Sequence, residues 1–305
     1  MQIQAVLEAV PVGGMVVLDL ASDTNPVWTF TESYYNRSFV WNMLHNFGGR
    51  SGLYGKLWTI ASGPAQALIQ NGTSGALVGI GLTPEAIETN PIVYDLMMEN
   101  TWRGTDGVKD VTAWVTQYVS RRYHGNIPSS IQAAWQLMAA TVYNCSTEQE
   151  GTSGSIFAAL PDFDIGGVSC CAPLDPYYNT SLLQEALALF IEGGLMAGDA
   201  LTNQATFQFD IVMLTAQVMS NYGIVIHQNA VDAYNNNSIP AFNSSMNTFL
   251  ELIMDMDELV GTQELFLFGK WIYNATRWGT NHSDYDGSCD ILRGRQTCGP
   301  EGTSD

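Results

Sequence analysis

The segment Ala76-Leu-Val-Gly-Ile-Gly-Leu-Thr-Pro-Glu-Ala-Ile-Glu88 decides how the rest of the chain is read. Ala76 to Leu82 is a run too short for a helix and too continuously apolar for an antiparallel strand with one wet face, so it predicts a strand buried in a parallel sheet. Met15-Val-Val-Leu-Asp-Leu20 and Phe39-Val-Trp-Asn-Met-Leu44 have the same character. A helical pattern over Leu57 to Gln70 separates the second run from the third, and residues 2 to 10 read as a helix that would follow an earlier strand. Strands alternating with helices in this order are the mark of βα units around a parallel sheet. Three strands do not close a barrel of eight, so the chain is expected to begin inside a domain.

From about residue 106 the strand pattern gives way to amphipathic helical stretches: Asp110 to Tyr123, Ser129 to Tyr143, Ser181 to Gly198, Gln204 to Tyr222, Phe242 to Val260 and Gln263 to Ala275. Asp110 and Ser129 are expected N-caps. A loose excursion is expected over 146 to 176, and a poorly ordered polar tail at the end. The fold class is therefore α/β followed by all-α, with a partial barrel over 1–105, a helical domain over 106–286 and a disordered tail over 287–305.

Eleven Lys and Arg against thirty Asp and Glu give a formal charge of −19, which argues against a nucleic-acid partner. No stretch reaches the roughly eighteen uncharged apolar residues of a membrane span. Eight N-x-[ST] sequons start at Asn36, Asn71, Asn144, Asn179, Asn236, Asn243, Asn274 and Asn281, against about three expected by chance, and suggest a secretory-pathway glycoprotein. Five cysteines are too few to build a disulfide framework. The first ten residues lack the basic and apolar regions of a signal peptide. A glycoprotein without an address reads as a fragment.

In a βα architecture, reactive groups gather where the strands end. The first strand runs into Asp19 and Asp23, the second into His45-Asn46-Phe47-Gly48-Gly49, and the third into Thr83-Pro84-Glu85 and Glu88. Acid, amide, imidazole and aromatic groups on one rim suit sugar binding and glycosidic cleavage. Plainer roles stay open for each: Glu85 and Glu88 as first-turn helix acids, His45 as a hydrogen-bonding rim residue, Trp41 and Trp278 as core, and Asp19 as an acceptor for backbone donors. Zinc spacings are absent, and no metal or cofactor is expected. Gly49-Arg-Ser-Gly-Leu-Tyr-Gly-Lys-Leu57 is one residue too long for a phosphate loop and lacks its Ser or Thr.

Trp41-Asn-Met-Leu-His-Asn-Phe-Gly-Gly49 and the stretch from Gly81 through Glu85 to Arg103 closely resemble two signature segments of the α-N-acetylglucosaminidases of glycoside hydrolase family 89. Val17 to Leu20, Ala113-Trp114, Arg121 to Tyr123, Val142 to Ser146 and Phe268 to Trp271 extend the similarity, which covers roughly residues 3 to 286. The resemblance implies the C-terminal portion of a (β/α)8 TIM barrel followed by an α-helical domain. It also implies an exo-glycosidase that removes terminal α-linked N-acetylglucosamine from glycans such as heparan sulfate, with retention. It makes Glu85 the nucleophile, places Trp41, Leu44, His45 and Asn46 on the substrate side of their strand, and adds Trp278 and Tyr285 as substrate-facing residues. The acid/base glutamate of the family lies on an earlier strand, upstream of Met1, so the isolated chain is expected to be inactive. A misread gene model would explain a sequence shortened at both ends. The implied setting is lysosomal or secreted, with a glycan as partner and room for a homo-oligomer. The alternative is a non-catalytic glycan-binding or interaction module.

Overall fold

The computed structural model describes residues 2–71, 76–85, 89–165 and 173–280, without the side chains of residues 2, 71 and 278–280. By compactness the chain divides into Met1–Ile253 and Met254–Asp305. The first unit opens with α1 (Gln2–Glu8), followed by β1 (Val16–Asp19), β2 (Ser38–His45) and β3 (Leu77–Pro84). They form one parallel sheet in the order β1-β2-β3, with Asp19 opposite Trp41 and Leu44 opposite Thr83. All three strands predicted from apolar runs are therefore present. A short helix, α2 (Val27–Phe30), and a turn, α3 (Glu32–Asn36), connect the first two. The five residues of α3 hold φ values of 49 to 59°, which is costly for residues with a Cβ. Buried Tyr34 anchors this turn by packing on Phe39.

Helix α4 (Leu57–Asn71) joins β2 to β3 and α5 (Pro91–Arg103) follows β3. Side chains on β2 alternate across the sheet: Phe39, Trp41, Met43 and His45 on one face are buried, whereas on the other Val40 and Leu44 are half-buried and Asn42 is buried against Gly81. Trp41 lies on Gly63 of α4 so closely that a Cβ there would stand 2.7 Å from its ring.

The remaining helices of this unit are α6 (Val111–Arg122), α7 (Ser129–Ala140), α8 (Thr180–Ala197), α9 (Asp199–Thr202), α10 (Ala205–Asn235) and the start of α11 (Ile239–Gly261). The Asp110 side chain caps α6 by accepting from Ala113 N at 2.9 Å. Ser129 is the first helical residue of α7, not its cap, because Pro128 supplies the fixed φ of the preceding position. α7 and α8 approach closely at Gly193, where a Cβ would stand 2.5 Å from Ile131. Gly193→Ala is expected to lower stability by about 1–3 kcal/mol, measured by urea unfolding, because overpacking outweighs the gain in helix propensity. The core here is aromatic: Trp114 stacks on Tyr118, which meets Trp135 edge-on, and Phe190 stacks on Phe207.

Other expectations differ from the structure. α10 runs to Asn235, thirteen residues past Tyr222, because no Gly or Pro stop intervenes before Asn236 other than the tolerated Gly223, which faces Phe157. The helix after β3 starts at Pro91, with Asn90 as its N-cap, so Glu85 is not the first-turn helix acid that its plainer reading made it. The excursion after residue 146 is tight at 151–154, all buried. α10 is long and apolar enough to cross a membrane. It carries Asp210, Gln217, Ser220 and Asn221 buried against protein partners, which marks a core helix.

In the second unit, the end of α11 leads through the 3-10 turn Glu264–Phe266 into α12 (Phe268–Thr280). The expected tail at 287–305 lies outside the described residues.

Candidate functional site

The site is built at the carboxyl ends of the three strands. Glu85 follows β3 directly; its backbone N–H donates to His45 O at 3.1 Å, continuing the ladder one step beyond the strand. Its side chain is exposed, and Oε2 accepts from Gly48 N at 2.7 Å. One oxygen is thus fixed by a backbone donor. The carboxylate is held at that oxygen, yet the side chain is open to solvent.

The donor comes from a turn after β2. Asn46, Gly48 and Gly49 have φ values of 55, 82 and 68°, and Gly49 N donates to Asn46 O at 3.0 Å. Such a backbone path needs Gly or Asn. Asn46 is fully buried; its Nδ2 donates to Thr89 at 3.1 Å and its Oδ1 accepts from Thr152 N at 3.3 Å. It is a framework residue whose amide ties the turn to two other segments.

Trp41 and His45 cannot share a face with Leu44, since successive side chains of a strand point to opposite sides. This corrects the expectation that all four residues of the 41–46 stretch line one surface. Trp41 lies on α4, while His45 sits between the rings of Tyr54 and Tyr94, with Nε2 3.0 Å from Asn90 Nδ2. Asn90 Oδ1 accepts from Tyr54 N and its Nδ2 donates to Gly52 O, so His45 Nε2 is the acceptor. Burial lowers the His45 pKa to about 3. It stays neutral at ordinary pH and supports the rim from behind. Leu44, half-buried and opposite Thr83, is the last β2 residue on the face away from Trp41 and His45. The Trp278 side chain and Tyr285 lie outside the described residues.

Asp23 is buried, and its Oδ1 accepts from Leu44 N at 2.9 Å, standing in for the carbonyl that β1 no longer supplies. Burial pushes its pKa up to about 7. Between pH 3.8 and about 7 the folded chain holds a proton that the unfolded chain has released, so this group's contribution to stability falls as pH rises through that window. His45 acts in the opposite sense, because below its ordinary value only the unfolded chain takes up its proton. The comparison that isolates Asp23 is with Asp23→Asn. The parent's stability relative to that variant is expected to drop by on the order of 4 kcal/mol between pH 4 and 7, measured by urea unfolding. A pH-independent difference would contradict the buried acid. Asp19, also buried, accepts from Trp28 N at 3.1 Å and serves the connection after β1.

Among the described residues no cluster of His, Cys, Asp and Glu could hold a metal. The chemistry available is that of an anchored carboxylate on the rim of a parallel sheet.

Residues 114–290 match the family model described as Alpha-N-acetylglucosaminidase (NAGLU) C-terminal domain. The chain belongs to the alpha-N-acetylglucosaminidase family. Residues 1–104 match the family's tim-barrel domain. Human alpha-N-acetylglucosaminidase is 35% identical over 305 residues, which make up 99% of this chain and 39% of the human protein. A family 89 glycoside hydrolase from Clostridium perfringens, solved with 2-acetamido-1,2-dideoxynojirmycin, superposes with a TM-score of 0.82 at 31% identity, over 89% of this chain and 30% of that one. The same bacterial protein with two glutamates replaced by glutamine, in complex with its substrate GlcNAc-alpha-1,4-galactose, gives 0.79 at 31% identity over 86% and 28%. This chain thus spans about two fifths of its human relative's length.

Sequence reading missed Arg50, Asn90 and the 150–152 segment, all of which hold the rim. Their signal lies in long-range bonds, to which periodicity is blind. The small residues around Gly151 were the one hint of close approach.

Proposed function

We propose that this chain carries the nucleophile of a retaining exo-α-N-acetylglucosaminidase. The observation that carries the reading is Glu85: an exposed carboxylate at the end of a parallel strand, with one oxygen fixed by Gly48 N–H. In this mechanism Glu85 attacks the anomeric carbon of a terminal α-linked N-acetylglucosamine while a second carboxylic acid protonates the departing oxygen. The resulting ester is then cleaved by water, from which the second carboxylate takes a proton, and the sugar leaves with its configuration retained. The family resemblance assigns that second group to a strand outside this sequence. The two Glu-to-Gln changes in the bacterial substrate complex fit a need for two carboxylates.

The three strands are then part of an eight-stranded barrel. Val16, Leu18 and Leu20 are 53%, 56% and 51% exposed, as expected of side chains that need a further layer of protein. Leu44 is the proposed sugar contact on β2, with Trp278 and Tyr285 proposed from the resemblance. The sequon residues Asn36, Asn144, Asn179, Asn236, Asn243 and Asn274 are all exposed, which supports a lysosomal or secreted glycoprotein; glycans such as heparan sulfate are proposed as substrate from the family resemblance alone.

Leaving-group chemistry tests the reading. A dinitrophenyl α-N-acetylglucosaminide departs without protonation, whereas an alkyl glycoside needs the acid. The chain alone is expected to acquire one covalent sugar on Glu85 from the first and to leave the second intact. Hydrolysis of the alkyl glycoside by this chain would overturn the assignment of the acid to another segment. Affinity for N-acetylglucosamine with no covalent capture would favour a non-catalytic glycan-binding module.

A further inference from the structure

The turn that holds Glu85 has little rigidity of its own, because two consecutive glycines with positive φ leave its backbone many alternatives. Its position is imposed from outside. Arg50 Nε donates to Phe47 O at 2.8 Å within the turn, and Arg50 Nη1 donates to Thr152 O at 3.0 Å, 102 residues further along. Phe47 N donates to Glu150 O at 3.0 Å, and Thr152 N to Asn46 Oδ1 at 3.3 Å. Gly151 lies under the guanidinium: a Cβ there would stand 2.6 Å from Nη2.

We propose that Arg50, seated on Gly151 and bonded to Phe47 and Thr152, is a positioning residue that aims the Gly48 N–H at the Glu85 carboxylate. This rests on the reading of Glu85 as the nucleophile. The planar guanidinium suits the task because its donors diverge at fixed angles and reach two carbonyls at once, which an ammonium on a flexible stem does poorly. Both carbonyls belong to backbone, so Arg50 joins two segments.

The test uses the chain uniformly labelled with 15N. In Arg50→Ala the Gly48 amide is expected to exchange with solvent about tenfold faster or more, while the Leu44 amide, held by Asp23, keeps its rate. Gly151→Ala, which displaces the guanidinium, should have the same signature, and Arg50→Lys should restore part of the protection. Covalent capture of sugar on Glu85 should slow about tenfold in its maximal rate, with an unchanged half-saturating donor concentration. If Arg50→Ala fails to fold, the Lys and Gly151→Ala variants report on the same amide. Unaltered Gly48 exchange in the folded variants would overturn the clamp, as would capture slowed only through weaker donor binding. Should the parent chain capture no sugar, the nucleophile reading falls while the exchange rates still judge the clamp.

Discussion

Glu85→Gln is expected to eliminate covalent capture of N-acetylglucosamine, and to lower any hydrolysis in a chain supplied with the rest of the barrel, by a factor on the order of 10⁴ or more. The amide is a poor nucleophile, yet its oxygen can accept the Gly48 N–H that now goes to the carboxylate. Because Glu85 is exposed, the change should leave stability within about 0.5 kcal/mol. That separates chemistry from folding, and intact-protein mass spectrometry beside a urea titration measures both. Glu85→Asp retains the charge but withdraws it by a methylene, and a loss of about 10²-fold is expected from the misplacement. Full capture by Glu85→Gln would remove the residue from the mechanism.

The second large effect concerns folding. Asp210 on α10 accepts from both Arg122 Nε at 2.5 Å and Arg122 Nη2 at 2.7 Å, and from Tyr123 Oη, which in turn accepts from Trp135 Nε1 at 3.1 Å. Asp210 is buried, and desolvation raises its pKa against the opposing pull of Arg122 and Tyr123, while the carboxylate keeps the Arg122 guanidinium firmly charged despite its own burial. Either charge left alone in this apolar setting is costly, so Arg122→Met and Asp210→Leu should each destabilise by about 3–5 kcal/mol in urea unfolding. The double variant should recover much of that loss, because it removes both desolvated charges together. Near-neutral single substitutions would show that the pair is solvated.

The strands and most helices were legible because burial imposes local patterns: continuous apolar runs at 15–20, 39–44 and 76–82, and amphipathic spacing after Asp110. Glu85 was legible through its place after a strand and through the signature residues around it. What supports Glu85 was not. In the sequence Gly48 stands out only as one of a glycine pair, and Arg50 only as a residue in a stretch one residue too long for a phosphate loop. Their partners at 150–152 lie a hundred residues away, in a segment whose Gly, Ser and Thr content imitates a loose loop. Trp41 and His45 show the converse error. A contiguous signature invites the assumption that all its residues face one way, whereas strand geometry divides them between two surfaces.

The backbone between Gly55 and Leu57 bonds to Val142, Tyr143 and Cys145, with Gly55 N–Val142 O, Leu57 N–Tyr143 O and Cys145 N–Gly55 O each at 3.0 Å. The two regions recognised by separate family models are therefore laced together by main-chain bonds that no side-chain exchange can re-create. A hybrid enzyme assembled from two relatives by crossing over near residue 105 would have to match not a surface but a bridge of paired main-chain atoms. Crossover points that keep 46–57 and 142–152 from the same parent are the ones that should yield folded hybrids.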